Sequence, residues 1–191
     1  MKKIAVMLAN GFEEGEALFT IDILRRAGFE CDSVSIGEEF VTSSRKITVK
    51  ADKLLADSSL AEYDMVVLPG GQPGSTNLSK DARVLQIVRD FLEDDKKFVA
   101  AICAAPMVLK AAGVTAGRTL TSYPCDDLKA MFEDANYIDN QLVVQDGNLI
   151  TSRGPATVMA FAYKLVDVLG GNSAVLKKAM LYDRFLAGEK V

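Results

Sequence analysis

Apolar and polar positions along the chain alternate between two periods. Residues 4–8 are consecutively apolar and stop at Asn10-Gly11. Residues 16–27 then place Leu18, Ile21 and Leu24 at helical spacing before Gly28, so a strand feeding a helix is expected. The pattern recurs. Residues 65–68 run into Pro69-Gly70-Gly71 and a polar loop, after which Val84, Leu85, Val88 and Leu92 mark a helix with Lys96-Lys97 beyond its end. Residues 98–102 run into Cys103, followed by a helical stretch over 107–112 that Gly113 closes. Continuous apolar strands alternating with amphipathic helices predict an α/β fold with a mostly parallel central sheet covered on both faces.

Two segments break the rhythm. Residues 40–49 alternate like a hairpin or edge ribbon, and residues 142–151 hold an Asp146-Gly147 turn between two short apolar runs. Residues 157–169 then predict a long apolar helix before Gly170-Gly171, and residues 174–186 a last amphipathic one. No linker, repeat or low-complexity stretch divides residues 1–191, so one domain is expected over that span.

Composition removes several classes of function. Apolar residues make up 49% and charged residues 25%, ordinary for a globular domain. Twenty-two basic against twenty-six acidic residues give a formal charge of −4, which offers no positive field for a phosphate backbone and argues against a nucleic-acid partner. The apolar start meets Glu13, Glu14 and Glu16 too soon for a secretory leader, and no window approaches the ~18 apolar residues of a membrane span. Three widely spaced cysteines, Cys31, Cys103 and Cys125, fit neither a disulfide framework nor a Cys-x-x-Cys pair, so a cytoplasmic setting is expected. The chain has no histidine, which excludes Ser-His and Cys-His relays and His-ligated metals. Proton transfer must use carboxylates, thiols, tyrosine or lysine.

Cys103 sits where an apolar strand meets a helix that begins around Ala104 to Pro106, a setting like a nucleophile elbow. A thiol facing a helix N-terminus is expected to ionise more easily than a free one, with a pKa of about 3.5–7.5. The alternative is a small buried core residue. Pro69-Gly70-Gly71 ends the neighbouring strand, where glycines let backbone amides approach an anion; with the amide of Ala104 they form a candidate oxyanion hole, or else a plain turn. In the cluster of Glu13, Glu14 and Glu16 at the same sheet edge, the first two read as solvated helix-start residues. Glu16, its pKa raised by burial and by a neighbouring thiolate, is the best available acid/base.

Five stretches in order, Glu13-Glu14-Gly15-Glu16, Arg25-Arg26-Ala27-Gly28, Leu68-Pro69-Gly70-Gly71, Ala100 to Pro106 and Thr151-Ser152-Arg153-Gly154-Pro155, resemble the ThiJ/PfpI superfamily over nearly the whole chain. The resemblance is to the branch of the parkinsonism-associated protein deglycase and its bacterial relatives. It implies a flavodoxin-like three-layer sandwich and a homodimer with the site near the subunit contact. It also implies Cys103 as the reactive cysteine, Glu16 as its carboxylate, and Gly70, Gly71 and Ala104 as backbone donors. Arg45 and Arg153 match basic residues near the site or dimer contact, or are structural ion pairs. Two positions depart from the pattern: Tyr123 precedes Pro124 where relatives usually have histidine, and Ala105 stands where glycine is common. Tyr123 is at most an auxiliary donor, since an ordinary phenol pKa near 10 does not replace imidazole as a base. Cys125, two residues later, lies near the site or is a structural or incidental thiol.

The implied activity is cofactor-free and metal-free addition of Cys103 to methylglyoxal, glyoxal or their adducts, with Glu16 moving protons. The alternative is an oxidative-stress sensor or redox-regulated chaperone that uses oxidation of Cys103. Peptidase or amidase chemistry ranks last for want of histidine.

Overall fold

The computed structural model describes residues 1–189; the end of the expected 1–191 domain, residues 190–191, lies outside the described residues. The first strand, β1 (Lys3–Leu8), alternates its side chains between two cores. Ile4, Val6 and Leu8 join one apolar cluster with Leu24, Phe161 and Leu165. Ala5 and Met7 join another with Val84, Val88, Phe91 and Leu109. Burial on both faces is why the strand reads as an unbroken apolar run, and each fully buried Leu or Ile contributes roughly 1.5–3 kcal/mol.

The remaining strands are β2 (Glu30–Ser35), β3 (Phe40–Thr42), β4 (Thr48–Lys50), β5 (Lys53–Leu54), β6 (Met65–Leu68), β7 (Phe98–Ile102), β8 (Thr119–Leu120), β9 (Asn136–Tyr137), β10 (Val143–Asp146) and β11 (Leu149–Ser152). Seven form the central sheet in the order β10-β11-β7-β6-β1-β2-β5. Its neighbours are parallel except β10, which pairs antiparallel with β11 across the Asp146-Gly147 turn, where Gly147 has φ 58°. The helices are α1 (Glu14–Arg26), α2 (Gly74–Lys80), α3 (Ala82–Glu93), α4 (Pro106–Ala111), α5 (Asp126–Met131), α6 (Val158–Val168), α7 (Ser173–Ala179) and α8 (Tyr182–Leu186). α1 and α6 supply one covering layer, α3 and α4 the other. The expected α/β three-layer sandwich is the observed fold.

Three features differ from the sequence pattern. β2 carries Asp32, Ser33 and Ser35 and has no apolar run, yet it lies between β1 and β5. Its polar groups find partners on other segments: Ser33 Oγ donates to Asp52 at 2.6 Å and Tyr63 to Asp32 at 2.5 Å. The final helical segment is two helices, broken at Leu181 with φ 60°. Leu18, on the apolar periodicity of α1, is 40% exposed rather than buried.

The order of the sheet places a switch point between β1 and β6, because β2 extends from one side of β1 and β7 from the far side of β6. Open α/β sheets form clefts at such points, beyond the carboxyl ends of their strands. The loops after β1 and β6 press together there. A Cβ on Gly11 would meet Pro73 Cδ at 2.3 Å, and Gly11 has φ +89°. Gly11→Ala should therefore cost at least ~2 kcal/mol in urea unfolding, from left-handed strain plus overlap with backbone that cannot move aside.

Candidate active site

Cys103 follows the last residue of β7 and adopts φ 64°, the left-handed region that costs a residue with a Cβ roughly 1–3 kcal/mol. Neighbouring backbone pins the conformation. The Cys103 N–H donates to Ser152 O at 3.0 Å, and its carbonyl accepts from Tyr123 N at 2.8 Å. The chain then turns into α4, with Ala105 N donating to Ile102 O at 3.0 Å. This is the strand-turn-helix elbow expected from the sequence.

Glu16, in the first turn of α1, is completely buried. Its Oε2 accepts the Gly70 N–H at 2.8 Å, while Oε1 has no aligned hydrogen-bond partner. The Cys103 sulfur lies beside the same carboxyl and, with the Gly70 amide, steadies its charge. Burial outweighs both and raises Glu16 to about 7. A Cβ on Gly70 would lie 2.6 Å from both Cys103 Cβ and Glu16 Oε2, so only glycine lets the two approach.

Two expectations are corrected here. Gly70 was expected to line the anion pocket with Gly71 and Ala104, but its amide is committed to Glu16; the amides of Gly71 and Ala104 are the two that favour a sulfur anion. The thiol was expected below its ordinary pKa. Burial and the Glu16 carboxylate instead push Cys103 up, against the pull of those amides. α4 has only six residues, and the influences that shift the sulfur most are burial, the Glu16 carboxylate and the two amides, with no cation among them to offset the carboxylate. The two groups titrate as a pair: a proton leaves the Glu16 carboxyl near pH 7, and the thiol, pushed up beside it, keeps its own.

Cys103, Gly71 and Ala104 open onto a cavity of about 630 Å³, which Tyr123 and Arg45 also line. Arg45 is carried there by the β3–β4 ribbon, which is fastened to the loop after β1: Gly11 N donates to Thr42 O, Ser44 N to Phe12 O, and Ser44 Oγ to Glu13 Oε2 at 3.1 Å. Glu13 therefore anchors the ribbon rather than standing free in solvent. Arg153 lies outside this cavity, bonding Asp139 Oδ1 at 2.7 Å in an ion pair that also includes Lys129; the structural reading fits it. Tyr123 packs its ring against Gly154 and is 46% exposed. Cys125 lines the cavity with Met107, Leu128 and Met131, which fits the first of its two readings, a place near the site. Short, weakly patterned α5 gave no sequence signal of Leu128 and Met131 there. Cys31 is buried, its thiol pushed up to about 12 mainly by burial. No group of three or more metal-ligating side chains exists among the described residues, and no helix among them is long and apolar enough to cross a membrane.

The profile of the DJ-1/PfpI family matches residues 2–168. Protein dj-1beta of Drosophila melanogaster is 41% identical over 179 residues, 93% of this chain and 95% of the relative. Its crystal structure superposes with a TM-score of 0.89 over 94% of this chain and 97% of that one. The Parkinson disease protein 7 homolog of Danio rerio is 39% identical over 94% of this chain and 96% of its own. The glutathione-independent glyoxalase DJ-1 of Schizosaccharomyces pombe is 32% identical over 87% and 91%.

The raised Glu16 pKa makes stability depend on pH with a definite sign. Folded Glu16 holds a proton between 4.5, its ordinary value, and about 7, so its contribution is full below the first and lost as pH rises through the second. Glu16→Gln removes that dependence. The variant should gain up to about 3 kcal/mol relative to the parent between pH ~4.5 and ~8, read by urea unfolding; a pH-independent difference would contradict the assignment.

Proposed function

The chain belongs to the DJ-1/PfpI family, in its DJ-1 branch, and on that premise we propose that it is a cysteine-dependent, glyoxalase-type enzyme that converts reactive 2-oxoaldehydes to 2-hydroxy acids. The observation that carries this reading is one buried carboxyl, raised to about 7, placed against the sulfur of a cysteine that faces a cavity. The glyoxalase name of the fission-yeast relative supports the same class.

The thiol need not ionise in advance. As the sulfur attacks the aldehyde carbon, the Glu16 carboxylate takes the thiol proton and passes it to the carbonyl oxygen, giving a hemithioacetal. Glu16 then removes the hydrogen on that carbon, the electron pair forms an enediol, and the proton returns to the adjacent carbon. The product is a 2-hydroxy thioester. Water cleaves the sulfur–carbon bond, releasing the acid and restoring the thiol. The amides of Gly71 and Ala104 are the donors available to charge developing near the sulfur. Arg45 at the cavity supplies a cation for the carbonyl or carboxylate end. The same addition to a glycated amine or thiol would register as deglycation.

A second reading, redox sensing, rests on one specific feature. Near neutral pH the Glu16 carboxyl still holds a proton part of the time, so it is able to donate to a Cys103 oxidised by a peroxide, with the amides of Gly71 and Ala104 available to its oxygens.

Methylglyoxal should yield lactate with kcat/KM rising as pH passes through about 7, because the carboxylate form of Glu16 is the proton acceptor. Cys103→Ser should abolish turnover, and Glu16→Gln should lower it at least ~100-fold; lactate formation equal to the Cys103→Ser control would refute the proposal.

The dimer is proposed through α1. Leu18 and Phe19 are 40% and 48% exposed on the helix that carries Glu16, and Ile47 of the adjoining ribbon is 48% exposed. Large apolar side chains left uncovered next to a functional site suit a second copy of the chain. Sedimentation should give a dimer for the parent and a monomer for Phe19→Glu; a monomeric parent would end this assignment.

A further inference from the structure

The space beside Cys103 exceeds what the smallest dicarbonyls occupy. Its volume of about 630 Å³ falls in the range of roughly 300–1,000 Å³ that accepts drug-sized ligands. A three-carbon oxoaldehyde displaces only a few waters at ~30 Å³ each.

The surplus space has an apolar wall that the chemistry of Cys103 and Glu16 does not use. Met107 stands at the start of α4, and Leu128 and Met131 lie one turn apart on the same face of α5. Leu128 is buried and Met107 half-buried, so both are fixed by the fold, whereas Met131 is 39% exposed at the cavity. Methionine side chains adapt to the shape of what they cover and make favourable sulfur contacts with aromatic rings. Tyr123 adds an aromatic face to the same cavity. At the other chemical extreme, Arg45 is the one basic side chain among the described residues that line it, with the acidic Glu13 and Asp127 also in its lining, so the small, electron-rich end of a ligand is placed at Arg45 and the apolar remainder at the wall.

We propose that this wall makes the site selective for 2-oxoaldehydes bearing an aryl or extended alkyl substituent, of which phenylglyoxal is the simplest aryl case, over methylglyoxal. The inference rests on the thiol-addition reading above. The Cys103 thiol adds to the aldehyde, Glu16 moves the hydrogen from the aldehyde carbon to the carbon bearing the ring, and one water releases mandelate and the thiol. One oxoaldehyde and one water thus give one hydroxy acid without any external oxidant or reductant. The substituent contacts Met107, Leu128 and Met131 throughout, so its binding energy is available in the transition state.

Initial rates of mandelate formation from phenylglyoxal and lactate formation from methylglyoxal test this with the full chain, each normalised to addition of a free thiol to the same aldehyde. The normalised kcat/KM ratio should favour phenylglyoxal by about 10-fold. Met131→Gln, polar but of similar length, should shrink that ratio several-fold, and Met131→Leu should retain it; thermal melts identify any variant that fails to fold. A ratio at or below one, or one untouched by Met131→Gln in a folded protein, overturns the selectivity while leaving the glyoxalase reading in place. Absence of turnover of both aldehydes removes the reading and the selectivity together.

Discussion

The contact on which the site depends is the bond from the Gly70 amide to the Glu16 carboxyl, made across a glycine that Cys103 overhangs. A carboxyl with no exposed surface loses the solvation of its charged form, and one amide at 2.8 Å replaces only part of it. The remainder appears as a pKa near 7. Were Glu16 more fully bonded it would stay ionised and exchange no proton at neutral pH; without the Gly70 amide its burial would be costlier still. The single amide therefore leaves the carboxyl between these two limits, beside the Cys103 sulfur.

The fold supplies that arrangement by bringing together pieces remote in sequence. Glu16 comes from α1, Gly70 from the loop after β6 and Cys103 from the elbow after β7, all at the carboxyl edge of three parallel strands. Their spacing is held by loops rather than by direct pairing of the side chains. Glu13 N donates to Gly70 O at 2.9 Å, joining the loop after β1 to the loop after β6. The bonds from Cys103 to Ser152 and from Tyr123 to Cys103 fix the elbow to the β11 side of the sheet. A strained φ at Cys103 is tolerated because several neighbouring segments determine it.

The sequence made legible what depends on local periodicity and what depends on residue type. Strands buried on both faces, such as β1 and β6, announce themselves as apolar runs; β2 does not, because it carries Ser33 and Asp32, which are satisfied by partners far along the chain. The same distinction governs the site. Cys103 and Glu16 were nameable from their positions after strands one and seven. That Gly70 would serve Glu16 while Gly71 and Ala104 serve the sulfur depends on where amide vectors point, which no residue pattern encodes. The cavity role of Leu128 and Met131 was hidden for a related reason: α5 is a six-residue helix whose apolar face is defined only by what it encloses.

The missing histidine and the raised thiol bear on each other. A Cys-His site needs the imidazole because it holds the thiolate by an opposite charge. Here the neighbour of the sulfur is itself an acid, and two like groups in low dielectric cannot both be charged at neutral pH. The pair therefore keeps one proton at neutral pH, and in the proposed reaction that proton moves as the sulfur bonds to carbon. Tyr123 does not alter this balance: its backbone N–H already holds the elbow, and its ring packs on Gly154. Nor does Ala105 in place of glycine disturb the elbow, since its φ of −64° suits any L-residue. Without histidine, the proton inventory of the site rests on the Glu16–Cys103 pair, and under the proposed reading this suits a reaction that shifts one proton between adjacent carbons better than one that must protonate a leaving amine.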